Sequence, residues 1–132
     1  MTEIKKLTKI SLVVLGIVTL LYGILLVFLL DLFLTPMTGW TNPLHPRMFG
    51  GVCFMYTIFV IISLRQKEWE KIQLLYAFLF GSYIMMIVME LIVTALVFPT
   101  LSEAAISQVI LDQILMCALL AFGIVCYLKQ RS

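Results

Sequence analysis

ISLVVLGIVTLLYGILLVFLLDLFL, residues 10–34, decides the fold. Its one charged residue, Asp31, lies near the far end. As a helix rising about 1.5 Å per residue, it is long enough to cross a hydrocarbon core of about 30 Å. It exceeds the roughly 7–15 residues of a signal-peptide core, and no small-residue cleavage site follows it, so it reads as a retained transmembrane helix. Thr35-Pro36 stops it, because proline cannot continue the backbone hydrogen-bond ladder.

Three more apolar segments follow, at about 47–64, 72–98 and 105–128. Between the first two, Thr35–Pro46 holds three prolines, Gly39 and Trp40 and reads as an ordered, turn-rich loop. Trp40 is expected at the headgroup level. Segment two is barely long enough to cross. Arg65-Gln-Lys-Glu-Trp-Glu-Lys71 reads as a solvated turn, with Trp69 as a second interfacial anchor. Segment three is long enough to tilt, and Pro99 ends it. Ser102 is placed to cap segment four, with Glu103 complementing the helix dipole. The expectation is an all-α, integral membrane four-helix bundle running up-down-up-down in a single domain, 1–132.

Composition supports that class. The chain is 63% hydrophobic and 12% charged, against about 45–50% and 25% in soluble domains. Of nine Lys and Arg residues, Lys5, Lys6, Lys9, Arg65, Lys67, Lys71, Lys129 and Arg131 flank one side of the spans. Arg47 alone flanks the other. The positive-inside rule then makes both termini cytoplasmic, in the cytoplasmic (inner) membrane if the source is prokaryotic. Partners begin with the lipid bilayer. Nucleic acid is excluded, because no basic patch is interleaved with exposed aromatics. Cys53, Cys117 and Cys126 are solitary and read as small buried hydrophobes. With one His and no clustered ligands there is no expected metal, and the sequence calls for no cofactor.

Charges inside hydrocarbon are expensive, so intramembrane acids are the first places to look for function. Glu90 lies about 12 Å below the outer end of segment three, Asp112 about 10 Å into segment four, and Asp31 about one turn inside segment one. Helical spacing puts Tyr83, Met86, Ile87 and Thr94 on the stripe of Glu90, and Gln108 and Leu115 on that of Asp112. Gln113 lies about 100° away from Asp112. Arg47 leads a stripe through Gly51, Phe54 and Ile58. It can reach Glu90, Asp112 or Asp31, and helix order decides which. Three acids face one Arg, with His45 beside it in Asn42-Pro-Leu-His-Pro-Arg47 as a pH-responsive candidate. At least one carboxyl therefore lacks a cation. It is uncharged, solvated in a vestibule, or paired with a ligand. The candidate pocket comprises Asp31, Arg47, Phe54, Tyr83, Met86, Glu90, Gln108 and Asp112. No catalytic set can be assembled.

The order of these features resembles the DoxX-like group of small four-helix membrane proteins. It rests on topology and on the Arg47-Met-Phe-Gly-Gly51 opening of segment two. The resemblance implies a compact four-helix bundle, sometimes associated with an oxidoreductase or a sterol-type ligand. It marks Arg47, Gly50 and Gly51 as structural positions and carries over no chemistry.

Three functional readings follow. The first is binding of a lipid-like or amphipathic small molecule in an outer-side polar pocket. The second is an accessory subunit of a larger membrane complex, with a membrane-protein partner or a homo-oligomer. The third is a small ion-coupled transporter. An enzyme is the least supported.

Overall fold

A computed structural model describes residues 2–32 and 43–132, apart from the side chains of Val97 and Phe98. Among the described residues four helices are long and apolar enough to cross a membrane. They are α1 (Lys6–Phe28), α2 (Leu44–Leu64), α3 (Trp69–Val97) and α4 (Glu103–Arg131). The shortest has 21 residues, about 31 Å of helix, so each is long enough to span a ~30 Å core. Their outward surfaces are apolar. Ile17 and Leu21 of α1 are 53% and 54% exposed, and Met55 and Ile58 of α2 are 54% and 56%. Such surface is favourable against lipid and not against water.

Every helix starts two to four residues earlier than read, and three boundaries differ in kind. Helix α2 starts at Leu44, so Pro46 lies inside it rather than in a loop. A proline in the first turn costs little, because its missing N–H has no intrahelical partner there. The Arg47 N–H bonds Pro43 O at 3.1 Å, which shows the turn already formed. Helix α1 ends its regular run at Phe28, bends at Leu29 and is helical again over 30–32. Nothing in the local sequence explains that bend. At the end of α3, Phe98–Thr100 tightens into a 3₁₀ turn around Pro99. Ser102 caps α4 as read, its Oγ accepting from the Ala105 N–H at 3.2 Å, with Glu103 in the first turn. The expected stop at Thr35-Pro36 and the placement of Trp40 lie outside the described residues.

The packed core occupies one half of the bundle. Leu12 and Leu15 of α1, Val60 of α2, Tyr76 and Leu79 of α3 and Cys126 of α4 are buried there. Trp69 joins them at 5% exposed, turned inward at the end of the bundle. Its ring meets Tyr76 and Tyr127 edge-on at 5.5 and 5.6 Å. A large ring at the mouth of a bundle buries more apolar area by turning inward than by lying on the surface.

Interior polar groups in this half are neutral and paired. Gln130, 2% exposed, accepts from the Lys5 N–H and the Thr8 hydroxyl, both at 2.8 Å, and donates to Glu3 O at 3.0 Å. The Ser11 and Tyr76 hydroxyls bond each other at 2.7 Å. Beside them, the Trp69 N–H bonds Thr2 O, and Lys5 Nζ donates to Lys129 O. The chain's start, the turn between α2 and α3, and the end of α4 thus meet at one end of the bundle.

Small residues set the helix spacing. Gly16 and Gly23, which share a face of α1, pack against Val60 and Phe54 of α2. At Gly123 an added Cβ would lie inside the Phe80 side chain, so α3 and α4 depend on that hydrogen for their approach. Gly51 has open space around it.

Candidate functional site

The other half of the bundle is hollow. A cavity of about 420 Å³ lies among all four helices. Helix α1 supplies Thr19 and Tyr22, and α2 supplies Phe49, Val52, Cys53 and Tyr56. Helix α3 supplies Tyr83, Met86 and Glu90, and α4 supplies Asp112 and Leu115. Tyr56, Tyr83 and Leu119 close its floor, at 7%, 6% and 5% exposed. Its size falls in the range of small-molecule sites, which combine apolar walls with a few convergent polar groups.

The polar groups are two carboxyls, each oriented from a neighbouring helix. Asp112 Oδ1 accepts from the Tyr22 hydroxyl at 2.6 Å and from Gln108 Nε2 at 3.0 Å. Gln108 stands one turn earlier on the same helix, and Tyr22 reaches across from α1. Glu90 Oε2 accepts from Gln113 Nε2 of α4, which also donates to Ile87 O. Glu90 and Asp112 are both half-buried. Among the described residues no cation pairs with either carboxyl, and neither Glu90 Oε1 nor Asp112 Oδ2 has a hydrogen-bond donor.

Arg47 goes elsewhere. Its Nη2 lies 3.3 Å from Asp31 Oδ2 at the rim, with the two side chains 48% and 74% exposed. A long guanidinium stem in the first turn of α2 reaches the rim carboxylate and stays hydrated there, at less cost than in the cavity. Of the residues singled out from sequence, Tyr83, Met86, Glu90 and Asp112 line the cavity, and Gln108 supports it through Asp112. Asp31 and Arg47 stand outside it as a rim pair. Phe54 faces α1, packed against Gly23 and the Phe28 ring. His45 is exposed in the first turn of α2.

Tyr22 and Gln113 were missed. Each contacts its acid across a helix–helix seam, and spacing along one helix carries no signal for that. Of the three cysteines, Cys53 lines the cavity, Cys126 is buried in the core and Cys117 is exposed. Among the described residues no three His, Cys, Asp or Glu side chains are grouped to hold a metal ion.

The fold and site together define a class: an all-helical chain with four potential membrane spans around an apolar, two-carboxyl cavity. Comparison with family models, with curated proteins and with solved structures finds no match.

Proposed function

We propose that the chain is an integral membrane protein that binds a small amphipathic molecule, placing the molecule's cationic end between Glu90 and Asp112. The observation that carries this reading is the charge balance of the cavity. Two carboxyls from different helices face one 420 Å³ space, and the nearest candidate cation, Arg47, is held by Asp31 at the rim. A positively charged ligand with an apolar body complements both the carboxyls and the Tyr, Met and Leu walls.

On this reading the helices run up-down-up-down, with both termini and the α2–α3 turn cytoplasmic. The meeting of the basic segments at one end of the bundle supports that orientation. The cavity then lies in the outer half of the membrane. The DoxX-like resemblance belongs to the same proposal. Gly50 packs against Leu26 and Val27, which fits a structural role for the Arg47–Gly51 opening.

The test is native mass spectrometry of the protein taken from its own membranes in mild detergent. A bound small molecule that is lost in Glu90→Gln is the expected result. A co-purifying protein with no small molecule would overturn the reading in favour of an accessory subunit.

A further inference from the structure

The cavity is not sealed on every side. Helices α2 and α3 follow each other in the chain, yet among the described residues they make the loosest contact of the neighbouring pairs. What ties them lies toward their shared turn. The Tyr56 hydroxyl donates to Ser82 Oγ at 2.6 Å, and the Tyr56 ring meets Phe78 and Tyr83 at 6.3 and 6.4 Å. One to two turns farther on, the seam is bordered by Phe49 and Val52 of α2 and by Met85 and Met89 of α3. These four line the cavity, and they are also 41%, 39%, 63% and 51% exposed on the outside of the bundle. A side chain that both lines a cavity and lies on the outer surface marks where that cavity opens. This opening faces sideways, at the depth of the apolar spans, and its borders carry no polar group.

Volume sets what can use it. At about 30 Å³ per water-sized group, the cavity holds roughly a dozen such groups. That suffices for a headgroup and a few methylenes, not for a whole lipid chain. Unbranched methionines at 85 and 89 can repack around a chain of varying shape.

We propose that the ligand is a chain-bearing amphiphile with a cationic amine head, which enters from within the bilayer through the slot between α2 and α3. Its head lies between Glu90 and Asp112, and its chain passes Phe49, Val52, Met85 and Met89 into the surrounding lipid. This rests on the cavity reading above and adds the source and shape of the ligand. A water-soluble cation without a chain is the alternative source for the same headgroup chemistry.

The experiment uses the whole chain in phosphatidylcholine nanodiscs with two photoreactive probes. One is a long-chain primary alkylamine bearing a diazirine along its chain. The other is a short, water-soluble alkylamine bearing the same group. The expected result is long-chain labelling at the α2–α3 slot, around residues 49–52 and 85–89, that disappears in the Glu90→Gln/Asp112→Asn double variant. Labelling by the long-chain probe should appear about tenfold more slowly in Met85→Trp/Met89→Trp, within the range over which association rates vary among variants of one interface. Leu74→Trp, on an 82% exposed position away from the cavity, should label at the wild-type rate.

Carboxyl-dependent labelling inside the cavity by the short probe, with none at the slot, overturns lateral entry and leaves the cavity reading standing. Absence of any labelling that depends on Glu90 and Asp112 overturns both. The labelling map of the wild-type chain decides the matter even if the tryptophan variants fail to fold.

Discussion

Replacing Gln113 by Leu isolates the cross-helix support of Glu90. Gln113 Nε2 donates to Glu90 Oε2 and to Ile87 O. The leucine removes both donors and leaves the half-buried carboxyl with no donor among the described residues. Hydrogen bonds to charged groups contribute about 1.5–3 kcal/mol in soluble proteins. Between transmembrane helices the measured couplings average only about 0.6 kcal/mol and reach about 1.7. Glu90 is half-buried and its acceptor is a carboxyl, so the upper part of the membrane range applies, about 1–1.7 kcal/mol. Gln113→Leu should therefore destabilise the protein by about that amount. In Glu90→Leu/Gln113→Leu most of the loss should return, because removing both partners leaves nothing unpaired. The assay is equilibrium unfolding in mixed micelles of dodecylmaltoside and dodecylsulfate, followed by far-UV circular dichroism for the wild type, both single variants and the double. Additivity of the two single effects to within about 0.3 kcal/mol would refute the pairing, since contacting residues couple by more than that.

Gly123→Val should destabilise the same unfolding equilibrium by about 1–3 kcal/mol, because the new side chain meets Phe80; Phe80→Ala should recover part of it, and a neutral Gly123→Val would show the seam to be looser. Arg47→Ala should change stability by no more than about 1 kcal/mol, as its pair with Asp31 is solvated; a larger loss would place the guanidinium in the cavity. Gln130→Leu leaves three hydrogen-bonding groups of residues 3–8 unpaired. It should cost about 1–3 kcal/mol and raise amide hydrogen exchange across the first turn of α1, whereas unchanged exchange there would mean the N-terminal segment is held by other contacts.

The elements were legible because hydropathy reports one quantity, transfer into lipid, which is set residue by residue. Ser102 as a cap and Glu103 in the first turn were legible for a similar reason, since their partners lie within one turn. The start of α2 was misread because three prolines in the preceding loop weigh toward an irregular segment, although Pro46 fits a first turn without loss. The face of α2 was misjudged by about half a turn. Arg47 pointed to a stripe through Phe54, but the face lining the cavity carries Phe49, Val52, Cys53 and Tyr56. A long cation near a helix end reaches whichever carboxylate lies at the rim, so it is a poor pointer to the interior. Glu90 and Asp112 stood out as costly intramembrane charges. Tyr22 and Gln113 did not, because neither is costly in itself and each acquires its role from a residue on another helix. The inward turn of the Trp69 ring was hidden for the same reason, since it comes from the Tyr76 and Tyr127 rings on α3 and α4.

The Gln130 clasp has a bearing on how this chain is made. The Lys5 N–H that it holds lies 125 residues earlier in sequence. No local folding event can form that bond, and nearly the entire polypeptide must be in place before the first turn of α1 has its partner. Helix α1 can insert early, but its contact with α4 waits for synthesis to reach the final helix. The seam between first and last helices is thus the closing step of assembly, and a nascent chain halted before residue 130 leaves the Lys5 N–H and the Thr8 hydroxyl without the acceptor that receives them.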